Sequence, residues 1–158
     1  MRHEAYRIED EPRPGALAAF AVSPVWPLLG LMFVGNWFGL AWFAFNGIAV
    51  GSPTLRRELL LIAVGIAGAF AIVLAVAWAA SSGLIERGMQ VELALLALVL
   101  WKLGVGYFLH AWQSATIEIH EHYGGVLRNG LPIVIVATLL PIRKFVGELP
   151  TLVAMVLQ

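Results

Sequence analysis

The chain has 158 residues, of which 60% are hydrophobic and only 13% charged, with ten basic and ten acidic side chains, four histidines and no cysteine. A soluble domain of this size exposes most of its residues to water, so this composition, with a mean hydropathy of +0.84, excludes an ordinary soluble fold and points to the lipid bilayer as solvent. Zero formal net charge gives no basis for a nucleic-acid partner or a strongly anionic-lipid partner, and the missing cysteine excludes disulfides, thiolate nucleophiles and Cys-ligated metals.

Residues 1–14 hold seven of the twenty charges together with Pro12 and Pro14, and read as a polar cytoplasmic tail. They lack the apolar core and small-residue cleavage site of a signal peptide. The rest, 15–158, reads as a single all-α domain, a polytopic transmembrane helical bundle of about four membrane segments. From Gly15 to Val50 there is no charge, a stretch too long for one upright helix. Pro24 and Pro27 divide it, leaving an interfacial piece near Ala16–Val22 and a first span over 26–50. Gly51-Ser52-Pro53 should close that helix and open the next, with Ser52 as N-cap and Pro53 at the first helical position. The second span is expected over 53–80, stopped at Ser81-Ser82-Gly83, and the third over 90–123, ending at Gly124-Gly125 after about 34 residues. A fourth segment over 131–142 is short or kinked at Pro141. Residues 145–158 then form either an interfacial helix or a continuation, and the pair Arg143-Lys144 favours the interface.

With the N-terminus in the cytoplasm, six Lys or Arg residues in the connections fall inside (Arg2, Arg7, Arg13, Arg87, Arg143, Lys144) and three outside (Arg56, Arg57, Arg128). The expected place is a cell membrane, multi-pass. Sparse Lys beside abundant Ala, Gly, Leu and Arg suits a bacterial inner membrane. Trp26 and Trp78 then mark one interface and Trp112 the other.

The third span carries an unusual stripe. Stepping about 100° per residue from Lys102 brings His120, Gln113, Gly106, His110, Glu92 and Glu121 into a sector of roughly 100°. The opposite surface is almost wholly apolar. A polar sector of this kind should face other helices, a water-filled crevice or a subunit interface rather than lipid. Lys102 lies near the middle of the apolar run. It either snorkels, lines an ion, proton or substrate path, or pairs with another helix or subunit, for which Asn36, Asn46 and Glu148 are candidates. In the first span Gly35, Asn36, Gly39, Asn46 and Gly47 provide small and amide-bearing positions for close helix packing.

His110, His120 and His122 are weak metal or haem candidates. His120 and His122 are two residues apart and point to opposite sides of a helix, whereas shared ligation needs a spacing of three or four. No metalloprotease, nucleophile-elbow, phosphate-loop or dinucleotide motif occurs, so an enzyme is disfavoured and no cofactor is expected. The leading expectation is a small membrane protein acting by assembly, as a homo-oligomeric channel or transport-type protein or a small subunit of a larger membrane complex. Its partners would be the lipid bilayer and copies of itself or other membrane subunits, with no nucleic acid. The alternatives are a redox or metal/haem-binding membrane protein using the three histidines, and a scaffold or assembly factor.

Overall fold

The computed structural model describes residues 15–85, 89–140 and Val156. Among them the chain is all-α and has no β-strand. After a 3-10 turn at Ala16–Phe20 come α1 (Val25–Phe33), α2 (Asn36–Val50), α3 (Leu55–Ser81), α4 (Met89–His122) and α5 (Leu131–Leu139). The tail at 1–14, the connection around Arg87 and the segment from Pro141, including Arg143, Lys144 and Glu148, lie outside the described residues, apart from a helical, buried Val156.

The expected first span is broken. The run over 26–50 is apolar throughout, yet α1 stops at Phe33 and α2 starts at Asn36. Gly35 sits between them at φ 141°, ψ 170°, a backbone region that only glycine occupies without strain. The Gly35 N–H donates back to the Gly30 carbonyl (3.2 Å), closing α1, and α2 folds antiparallel against it. Gly39 rests directly on Leu31. A methyl group there would collide with the Leu31 side chain and stand 2.6 Å from its backbone nitrogen. Further from the turn, the Val22 N–H donates to Asn46 Oδ1 (2.9 Å). Hydropathy had measured the length of this apolar run but not its direction.

α3 and α4 form a long antiparallel pair. The 27 residues of α3 extend roughly 40 Å and the 34 of α4 roughly 50 Å, at 1.5 Å per residue. Val105 packs over Gly65 and Trp101 over Gly68, with the indole N–H donating to the Gly65 carbonyl at 2.8 Å. The length of α4 agrees with expectation. The start of α3 does not: Thr54, not Ser52, occupies the N-cap and the helix begins at Leu55. α5 has only nine residues and ends where Leu140, extended before Pro141, leaves the helix.

Two described helices are therefore long and apolar enough to cross a membrane, Leu55–Ser81 and Glu92–His122, rather than four. Only 17% and 22% of their most apolar windows are buried within the chain, whereas the core helix of a soluble protein is buried over most of its length. Leu60, Leu74 and Trp78 on α3 and Leu100, Tyr107 and Phe108 on α4 project outward. This far exceeds the scattered apolar exposure of a soluble monomer.

The hairpin nests at one end of this pair. The start of α1, the end of α2, the start of α3 and the end of α4 meet there, with Ala21, Val50 and Ile117 in one apolar cluster. The strand-like segment before α1 is tied to the α4–α5 loop by the Arg128 N–H, which donates to the Ala21 carbonyl (2.8 Å). Trp26 packs against Gly130 at the same end. Trp26 and Trp112 consequently share an end and Trp78 lies at the opposite one, correcting the expected distribution. The tip of the hairpin reaches Ala69, about halfway along α3, where Asn36 joins Trp101 and Lys102 around one cavity.

Candidate functional site

At the shared end a buried polar network links four segments of the chain. Glu58, one turn into α3, is wholly buried. Its Oε1 accepts from the Ser52 and Thr54 hydroxyls, the latter at 2.8 Å, and its Oε2 accepts from Gln113 Nε2 at 2.7 Å. The second proton of that amide goes to the Phe43 carbonyl on α2 (2.7 Å), while Gln113 Oε1 accepts from Asn46 Nδ2 (3.1 Å). Asn46 Oδ1 is taken by the Val22 N–H. Each amide thus has its oxygen facing donors and its nitrogen facing acceptors, which fixes both orientations.

Local geometry explains why these residue types stand here. Gly51 (φ 68°) caps α2, and the Ser52 N–H returns to the Gly47 carbonyl at 2.9 Å. That turn points the Ser52 hydroxyl inward, where it receives the Thr54 N–H (3.3 Å) and donates to Glu58. Gly47 makes room for the carboxylate: a Cβ there would stand 2.5 Å from Glu58 Oε2 and 3.1 Å from Gln113 Nε2. Among Asn46, Gly47, Ser52, Gln113 and Thr116 no water-sized void remains. Saturated and sealed, the network acts as a lock between the hairpin and the α3–α4 pair rather than as a vacant binding site.

The stripe on α4 divides into residues that meet the rest of the chain and residues that do not. Gly106, Gln113 and His120, spaced seven apart, are buried, with Gly106 beneath Leu28 and Leu31 of α1. His120 lies under the α4–α5 loop, so close to Gly125 that any side chain there would enter the imidazole ring, and its buried Nε2 has no hydrogen-bond partner. His110 is half-buried and stacked on Tyr107, with centroids 6.4 Å apart. Glu92 and Glu121 are exposed, as is His122, which meets Tyr123 edge to face. Among the described residues no three His, Asp or Glu side chains come together as a metal site, and His110 and His120 are separated by roughly 15 Å of helix.

Lys102 is half-buried and lines, with Asn36, Ala69, Leu98 and Trp101, a cavity of about 200 Å³, room for several waters. Asn36 Nδ2 donates to the Val156 carbonyl at 3.3 Å on its wall. The packing residues expected in the first span all belong to the hairpin: Gly35 makes the turn, Gly39 the close approach, Asn36 the tip, and Asn46 and Gly47 the lock. Glu58 was missed by sequence reasoning, which passed over it beside Arg56 and Arg57. Its local signal was the pair of hydroxyls at Ser52 and Thr54 just ahead of an acidic residue at the start of a helix, where an acid also suits the helix dipole.

No family model matches the chain, and no curated protein and no solved structure matches it either.

Proposed function

We propose that this is a multi-pass integral membrane protein that acts by assembly, as a homo-oligomeric transport-type protein, with the cavity between Asn36 and Lys102 as a polar station at mid-depth. In this reading α3 and α4 cross the bilayer. The α1–α2 hairpin enters from one face, reaches the middle and returns. Irregular backbone at membrane depth is tolerated where protein buries it or where it lines a cavity, and the Gly35 turn beside Lys102 meets both conditions. An ionisable side chain at that depth is expected to serve a pathway or a partner. The observation that carries the proposal is this coincidence of a half-depth helix break, a cavity and a lysine.

The same topology corrects the charge count behind the orientation, because Arg56, Arg57 and Arg128, expected opposite the N-terminal tail, lie at the end where the described chain begins. The chain enters the described structure at Gly15, on the end where α3 begins and α4 finishes. Arg56, Arg57 and Arg128 attach to that end, and in sequence Arg2, Arg7 and Arg13 precede Gly15, while Arg87 belongs to the connection between α3 and α4. Six against one, with Arg143 and Lys144 left aside, supports a cytoplasmic location for the N-terminus, in keeping with a bacterial inner membrane. Within the α4 stripe Gly106, Gln113 and His120 meet the chain itself, which leaves the half-buried His110 as the member facing outward beside Tyr107. A small subunit of a larger complex is the second reading, favoured by the outward Tyr107 and Phe108 beside His110.

Anion flux into liposomes tests the first reading. Wild-type protein should conduct, and Lys102→Ala should lose most of the flux at equal reconstitution. Equal conductance of the two, together with a monomer by native mass, sinks it. A defined heteromeric complex recovered in mild detergent favours the second.

A further inference from the structure

Outside the lock and the mid-depth cavity, a further concavity lies on the outer side of the α3–α4 pair. It measures about 300 Å³ and runs between the first turn of α3 and the last third of α4. It is lined by the exposed Arg57 of α3 and by Trp112, Ala115, Ile119 and the 95% buried Thr116 of α4. Glu58, the neighbour of Arg57 in sequence, faces the opposite way into the lock. Glu118 and Glu121 are exposed on α4 but do not line the groove.

We infer that this groove binds the phosphodiester headgroup of an anionic glycerophospholipid, an inference that rests on the membrane reading above. Three features converge on that ligand. The groove lies at the end of both long apolar helices, the depth where headgroups sit and where an amphipathic indole such as Trp112 settles. Arg57 offers a planar fork of N–H donors suited to a phosphate, and Thr54 and Thr116 are the hydroxyl-bearing residues among those that line the groove. Ala115, Trp112 and Ile119 give the first methylenes of an acyl chain an apolar wall. Zero net charge conceals this arrangement, because the arginines attached to the described helices are sorted to one end: Arg56, Arg57 and Arg128 all lie there. A basic residue near the surface adds about 1 kcal/mol of attraction to anionic lipid, close to a fivefold change in affinity.

The test uses the full chain in mild detergent, titrated with phosphatidylglycerol and followed by native mass spectrometry. Wild type should retain one lipid, and Arg57→Gln should weaken retention about fivefold. Arg56→Gln, one residue away but off the groove, should weaken retention clearly less than Arg57→Gln. Thr116→Val should weaken retention in the same direction. If that buried substitution impairs folding, the exposed Arg57 variant decides alone. Equal loss for Arg56→Gln and Arg57→Gln overturns the site in favour of general surface charge. Displacement by millimolar inorganic phosphate overturns the lipid assignment in favour of free phosphate, and equal retention of phosphatidylcholine overturns the need for an anionic lipid. Failure of the protein to remain with membranes after an alkaline wash would defeat the membrane reading itself, a result separable from all of these.

Discussion

Two strongly apolar stretches of nearly equal length behave in opposite ways. Residues 26–50 and the body of α3 are both rich in apolar side chains, yet the first doubles back on itself and the second runs straight for 27 residues. Placement of glycine separates them. In α3, Gly65 and Gly68 lie within continuous helix and serve to seat Val105 and Trp101, whereas Gly35 adopts a conformation that ends one helix and starts another. The polar residues differ as well. α3 keeps its one buried acid at the very end, while the hairpin carries Asn36 at its tip and Asn46 near its base. A stretch that must place amides at two depths gains from folding back, because each amide then meets a different part of the neighbouring pair.

The sharpest way to break this comparison is to ask which side of the membrane each stretch returns to. The chain has no native cysteine, so single substitutions report cleanly. Gly15→Cys and Pro53→Cys should be labelled by an impermeant maleimide from the same side, and Ser82→Cys from the other. A straight first span would put Gly15 and Pro53 on opposite sides, an all-or-none difference.

A second experiment removes the tie that holds the folded stretch to the straight one. Glu58→Leu strands the hydroxyls of Ser52 and Thr54 and one proton of the Gln113 amide in a sealed interior. The loss should be on the order of 3 kcal/mol, read as a lower unfolding midpoint in detergent. Glu58→Gln should lose less, since one acceptor oxygen remains. A wild-type midpoint for Glu58→Leu would show that the lock holds nothing.

The smallest effect concerns the loop after α4. Gly125 has no positive φ, so alanine suits its backbone and the obstacle is the His120 ring alone. Gly125→Ala should destabilise by about 1–3 kcal/mol. His120→Ala, by clearing the space, should make the double variant more stable than the sum of the two singles, a coupling of at least about 0.5 kcal/mol. Strict additivity would place the loop away from His120.

Helical class and the extents of α3 and α4 were legible in the sequence because hydropathy and stop signals are local. The stripe on α4 was legible as a pattern, but periodicity could not say which members would be covered. His120 is covered by the α4–α5 loop and Gln113 by a hairpin of the same chain, and that hairpin depends on the conformation of Gly35, which a sequence scan counts simply as a small residue tolerated in an apolar helix. Glu58 stayed hidden for a related reason. Its partners Ser52 and Thr54 are near in sequence, but Gln113 is 55 residues away and the carboxylate is buried only once α4 is in place.

The lock also has a consequence for how the protein is made. Asn46 and Gln113 are 67 residues apart, so at about 5–20 residues per second roughly 3 to 13 seconds of synthesis separate the two halves of the tie. During that interval the hairpin and α3 exist without the amide that joins them, and Asn46 and Glu58 have only the partners that Val22, Ser52 and Thr54 provide. A ribosome stalled before Gln113 should therefore leave the first two-thirds of the chain without its closing tie and accessible to proteolysis.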